Sequence, residues 1–129
     1  MTDVDAVEQY KKSANDSWDT ANKLFVDKKY HHGLFFVHLA VEKLLKALHQ
    51  KNKGQPALPL HNLTRLAELS GFPINEITKG QLNEISTFNL SARYDDYKLS
   101  FYKKATKEYA ETWMKIAESI YNQLLNELK

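Results

Sequence analysis

Apolar side chains recur along this chain at three- and four-residue intervals, which predicts helices throughout. Val7, Tyr10, Ala14, Trp18, Ala21 and the pair Leu24 and Phe25 trace one face of a first helix, from Val4 to about Lys28. Lys28-Lys29-Tyr30, with Gly33 just after, suggests a short break, and a second helix then runs from about Tyr30 to Lys51. Gly54, Pro56 and Pro59 make Asn52 to Pro59 a loop. A short third helix, Leu60 to Leu69, is closed by Ser70-Gly71 with Pro73 beyond, a common stop signal. A fourth spans about Ile77 to Ser91, and Ala92 to Ser100 reads as a polar, tyrosine-rich loop or helix end. Ala105, Tyr109, Trp113, Ile116, Ile120, Leu124 and Leu128 carry a fifth helix from about Phe101 to Leu128. No stretch alternates as a strand would, and there is no internal repeat. The pattern predicts an all-α, up-and-down bundle of four to five helices, a single domain over residues 1–129. Helices one, two and five should be long and roughly antiparallel, with helix two central.

Helix two carries Leu34, Phe35, Phe36, Val37, Leu39, Ala40, Val41, Leu44, Leu45 and Leu48 around nearly its whole circumference. Such a helix belongs inside a bundle or in an interface. The excess of apolar surface predicts a homodimer through helix two and the helix-four region. One polar seam survives: His31, His38, Glu42, Lys46, His49 and Lys53 fall within about 80° at 100° per residue. It either faces solvent, with Glu42 and Lys46 as a weak i,i+4 pair, or lines a site.

Composition narrows the function. The chain has 129 residues, enough for a core, and 43% of them are hydrophobic, too many for a disordered chain. The absence of Cys removes disulfides, thiol chemistry and Cys-based metal sites. No apolar run reaches the roughly 20 residues that span a bilayer. The acidic start Met1-Thr2-Asp3-Val4-Asp5 is unlike a signal peptide, so the expected location is the cytoplasm, with no membrane contact. Net charge is only +2, but residues 28–65 hold seven Lys or Arg against one acid, Glu42. That basic third suits phosphate or an acidic partner, and equally a solvated surface. His38 and Glu42 have helical metal-ligand spacing and His61 could join them, yet no complete ligand set is visible, so no metal is expected. No Ser-His-Asp arrangement or phosphate-binding glycine loop occurs, and no cofactor is expected. Ser91-Ala92-Arg93-Tyr94-Asp95-Asp96-Tyr97 sets a guanidinium fork beside a stackable ring and two acids. Arg93 suits either an anionic ligand or an ion pair across the bundle, Glu42 included.

The segment Phe36-Val37-His38-Leu39-Ala40-Val41-Glu42-Lys43-Leu44-Leu45-Lys46-Ala47-Leu48 resembles the second-helix signature of bacterial and archaeal HEPN proteins. His61-Asn62-Leu63, followed by Leu66, resembles that family's His-x-Leu before its third helix. Ala92-Arg93-Tyr94 with Asp95-Asp96 is similar to its Ala-Arg-Tyr-Pro-Asp stretch, with Asp in place of Pro. The resemblance covers roughly Val7 to Leu125. It implies a bundle of four or five helices that often dimerises. Many HEPN proteins are metal-independent ribonucleases, with an Arg followed after four to six residues by His, two protomers meeting at a cleft. Here Lys98, Leu99 and Ser100 occupy the positions of that His, and no His follows His61. Short HEPN proteins are also implied to pair with a minimal nucleotidyltransferase, often in a toxin–antitoxin-like operon, or to bind nucleotides.

Three functions remain open. One is a non-catalytic module binding a nucleotide or a nucleotidyltransferase through the seam and Arg93. Another is a ribonuclease of altered motif, acting on RNA at a dimer cleft through Arg93 with His38 or His61. The last is a structural, dimeric interaction subunit. Glu42, Lys46, Arg93, Tyr94 and Asp95 are expected to cluster at a cleft, with His38 and His61 close by, and Asp96 is a further candidate ligand contact.

Overall fold

The structure, a computed structural model, describes the backbone of residues 2–94 and 100–129 and the side chains of residues 2–89 and 102–129. Six helices are present among them and no strand: α1 (Asp3–Val26), α2 (Tyr30–Lys53), α3 (Leu63–Ser70), α4 (Glu76–Tyr94), α5 (Ser100–Lys104) and α6 (Lys107–Glu127). The all-α helical bundle expected from the periodicity is present, but not in strict up-and-down order, because α3 runs in the direction of α2.

α1 begins at a capping box, in which the Thr2 hydroxyl accepts from Asp5 N while the Asp5 carboxylate accepts from Thr2 N. It ends in a three-residue turn in which Lys28 takes a left-handed conformation, φ 62°. α2 then returns antiparallel to α1, and Gln50 near its end donates to Asp3 at the start of α1, 2.5 Å. Small side chains let the two helices approach closely. Ala14, Ser17 and Ala21 of α1 are buried, as are Gly33, Ala40 and Ala47 of α2, seven residues apart. Lys43 Nζ reaches into this seam to the Ser17 hydroxyl at 2.8 Å. Gly33 therefore belongs to the helix interior, not to the break expected there. A Cβ at this position would collide with the Phe25 ring.

α2 is central, touching α1, α3, α4, α5 and α6. The expected surplus of apolar surface is mostly covered by the chain's own helices, with Leu34, Val37, Val41, Leu44, Leu45 and Leu48 all buried. Phe35, Phe36 and Leu39 remain half-buried, on the sector between α1 and α3.

Residues 54–62 turn back along α2 and bring His61 beside Glu42 and His38. α3 then runs in the direction of α2, and Asn52 at the end of α2 caps the Ser70 carbonyl, 2.9 Å. Its start is Leu63, not Leu60, because the Asn62 side chain accepts from Arg65 N and sets the N-cap there. α4 returns upward, with Ser86 Oγ accepting from Leu63 N at 2.9 Å and Thr64 donating to Asn83 at 2.5 Å.

The expected single last helix is two. α5 ends at Lys104, and Thr106, whose hydroxyl accepts from Tyr109 N, caps a new start for α6. The helical pattern in the sequence runs across that break because Ala105 is buried in either case. α6 runs parallel to α2, since Lys51 Nζ donates to the carbonyls of Glu127 and Lys129 at 2.8 and 3.0 Å. Of the three longest helices, α1 is the one antiparallel to the other two, with Trp18 stacked on Tyr121 at 4.7 Å. The intervening pass of α4 fixes this order. α4 itself continues to Tyr94, past the expected end at Ser91.

Candidate functional site

Of three side chains spaced by one helical turn, His38 and Glu42 meet His61 of residues 54–62, and Lys46 pairs with Glu42. The middle of the seam is thus enclosed: His38 is fully buried, and His49 and Glu42 nearly so. The solvent-facing alternative fails there because the connection after α2 doubles back over the helix. At 1.5 Å per residue, the eleven residues from Lys53 back to Glu42 span about 16 Å, which nine extended residues cover with ease.

Glu42 is the hub. Oε2 accepts from Lys46 Nζ at 3.0 Å, and Oε1 accepts from His61 Nδ1 at 2.9 Å. The Glu42 side chain is 6% exposed, Lys46 16% and His61 54%. Both carboxylate oxygens thus hold a partner among the described residues. His38 Nε2 lies 3.1 Å from the His61 carbonyl and 3.6 Å from Glu42 Oε1. Only a protonated Nε2 suits two oxygens, so the neutral ring donates from Nε2 and leaves Nδ1 as a bare acceptor. That Nδ1 is buried with no hydrogen-bond partner among the described residues. Burial lowers the His38 pKa, and the His61 carbonyl and Glu42 offset this only in part. His61 is arranged differently: its Nδ1–H is fixed on a carboxylate, and its ring is exposed at the rim.

The structure therefore brings together His38, Glu42, Lys46 and His61. Arg93 and Tyr94 are the last two residues of α4, but their side chains, and Asp95 and Asp96 entirely, lie outside the described residues. No group of three or more His, Asp or Glu among the described residues is arranged to hold a metal ion.

A second polar cluster escaped the sequence reading. Glu84 of α4 pairs with Lys104 of α5 at 2.8 Å and accepts a hydrogen bond from the Tyr109 hydroxyl of α6. Burial pushes Glu84 up, but the hydrogen bonds of Lys104 and Tyr109 and the Lys104 charge outweigh it and hold the carboxyl below its ordinary range. The same burial and pairing raise the Tyr109 hydroxyl far above its usual value. Phe88 packs edge-on against both Tyr109 and Trp113. Glu84 stands 20 or more residues before Lys104 and Tyr109, and nothing local links it to them. Concave surface occurs elsewhere too, as a groove of about 400 Å³ lined by Ala6, Gln9, Tyr10, Ser13, Gln50 and Pro56.

A central apolar helix, a short third helix entered through His-Asn-Leu, and a Glu–Lys–His hub beneath the connection define a class of all-α bundle. Residues 7–128 match the HEPN domain, and the chain belongs to that family. In fold it is similar to the crystal structure of TT1696 from Thermus thermophilus. The TM-score is 0.80 at 21% identity, over 95% of this chain and 98% of that one. No curated protein sequence matches the chain. No helix among the described residues is long and apolar enough to cross a membrane.

Proposed function

We propose that this chain is a non-catalytic HEPN module, acting as a single cytoplasmic domain that binds a nucleotide or a partner protein. A minimal nucleotidyltransferase in a toxin–antitoxin-like pair is the partner this reading favours. The observation that carries it is chemical: no His follows Arg93, and Lys98, Leu99 and Ser100 stand where the family's ribonucleases place one. Without an imidazole of near-neutral pKa beside the Arg, proton transfer at the ribose hydroxyl or the leaving oxygen has no agent. The half-buried Phe35, Phe36 and Leu39 of α2 offer an apolar sector for a partner, which includes a second copy of the chain. Arg93, Tyr94, Asp95 and Asp96 remain the proposed ligand contacts, with Glu42, Lys46 and His61 alongside. The test is incubation of pure protein with single-stranded RNA, together with nucleotide titration and co-elution with a minimal nucleotidyltransferase. Intact RNA with binding of either partner is expected, and rapid cleavage abolished by Arg93→Ala overturns the reading.

One feature supports a second reading, a ribonuclease of altered motif. His61 is an exposed imidazole oriented by a buried carboxylate, the arrangement of a general base. Cleavage lost in both His61→Ala and Arg93→Ala would establish it.

A further inference from the structure

The connection over residues 54–62 is fastened to α2 by three imidazole rings. His38 Nε2 bonds the His61 carbonyl at 3.1 Å, His49 Nδ1 bonds the Gln55 carbonyl at 2.9 Å, and His61 Nδ1 bonds Glu42 at 2.9 Å. Apolar anchoring is slight, since Ala57 and Leu60 pack only partly on the core and Leu58 is 60% exposed. We propose that residues 54–62 form a histidine-latched strap that mild acid releases from α2, with His38 as the sensing ring.

The three latches respond differently to a proton. His49 and His61 each already donate from Nδ1, so a second proton on Nε2 leaves those bonds in place. His38 alone has no room for one. Its other nitrogen, Nδ1, is fully buried and faces no acceptor among the described residues, so a proton there is a buried, unpaired donor carrying charge. Among the described residues, the charged or titratable groups acting on His38 are Glu42 and Lys46 of its own helix and His61 of the strap. No described side chain of α1, α3, α4, α5 or α6 adds to these, and the attraction of Glu42 is opposed by Lys46 and His61. Lifting the strap lets water reach the ring and restores its ordinary titration. The open form then binds one proton more than the closed form at pH values below about 6.5, down to the lowered pKa of the closed form. Opening should rise by up to about tenfold per pH unit across that window. Release would uncover Glu42, Lys46 and His49, so that acid converts a covered seam into an accessible one.

The test is amide hydrogen exchange on the full chain at about pH 7.5 and pH 5.5, expressed as protection factors. The reporting amides are Leu60, Arg65 and Leu66, whose acceptors are Leu58 O, Asn62 Oδ1 and Asn62 O of the strap. Their protection should drop by about tenfold at the lower pH while mid-helix amides of α1 and α6 hold. His38→Gln keeps a donor near the position of Nε2 but cannot titrate, and its strap should be insensitive to pH. Unchanged protection in the native chain, or an equal loss in His38→Gln, overturns the proposal. Should that variant fail to fold, imidazole ¹⁵N shifts of native His38 decide. A ring that protonates while the strap amides stay protected also overturns it.

Discussion

Removing Glu42 tests whether the hub holds the strap and α2 together. Glu42→Ala deletes a 6% exposed carboxylate that accepts from Lys46 at 3.0 Å and His61 at 2.9 Å. Each hydrogen bond to a charged group contributes roughly 1.5–3 kcal/mol, and breaking a fully buried pair costs about 3–5 kcal/mol. The partners here are less enclosed. Lys46 is 16% exposed on a flexible stem, and His61, at 54%, finds water once released. Solvent access discounts the loss to about 2–3 kcal/mol, a fall of roughly 10 °C in Tm for a chain of this size. Glu42→Gln retains an acceptor for His61 but turns an amide toward the Lys46 ammonium, so about half that loss is expected. Chemical denaturation followed by circular dichroism gives both values. A double-mutant cycle with Lys46→Ala then isolates the ion pair. A loss below about 0.5 kcal/mol for Glu42→Ala would show that the carboxylate is solvated and the hub adds no stability. Full additivity with Lys46→Ala would show that the two residues do not act on each other.

Gly33→Ala trades a helix-propensity gain of about 1 kcal/mol against a clash with the Phe25 ring, and a net loss of roughly 1–2 kcal/mol is expected in a thermal melt. Thr106→Ala removes the α6 cap and should cost about 1 kcal/mol, measured the same way. Lys28→Gly relieves the left-handed φ of 62° and should raise stability by up to about 1 kcal/mol. Phe35→Asp with Leu39→Asp places charge on the open sector of α2; light scattering should show a monomer, whatever the native assembly, with helical content unchanged.

What the sequence determined is what local periodicity encodes. The apolar spacing of α1, α2 and α6 follows from the 3.6-residue turn, and Gly71 and Pro73 marked the end of α3 by backbone restriction alone. The placement of His38, Glu42 and Lys46 on one face is the same arithmetic. The tertiary structure decided which way that face points. Nothing in the order of residues 54–62 says that they fold back over α2, and that return turned a polar seam into a buried, histidine-fastened hub. It also decided that Gly33 is a close-packing position, because the reason lies on another helix, in the Phe25 ring. The Glu84–Lys104–Tyr109 cluster likewise has no local signal, since its members meet only after α4, α5 and α6 have packed. Short-range geometry is written residue by residue, while burial and partnership come from contacts between distant segments, which no single stretch of sequence contains.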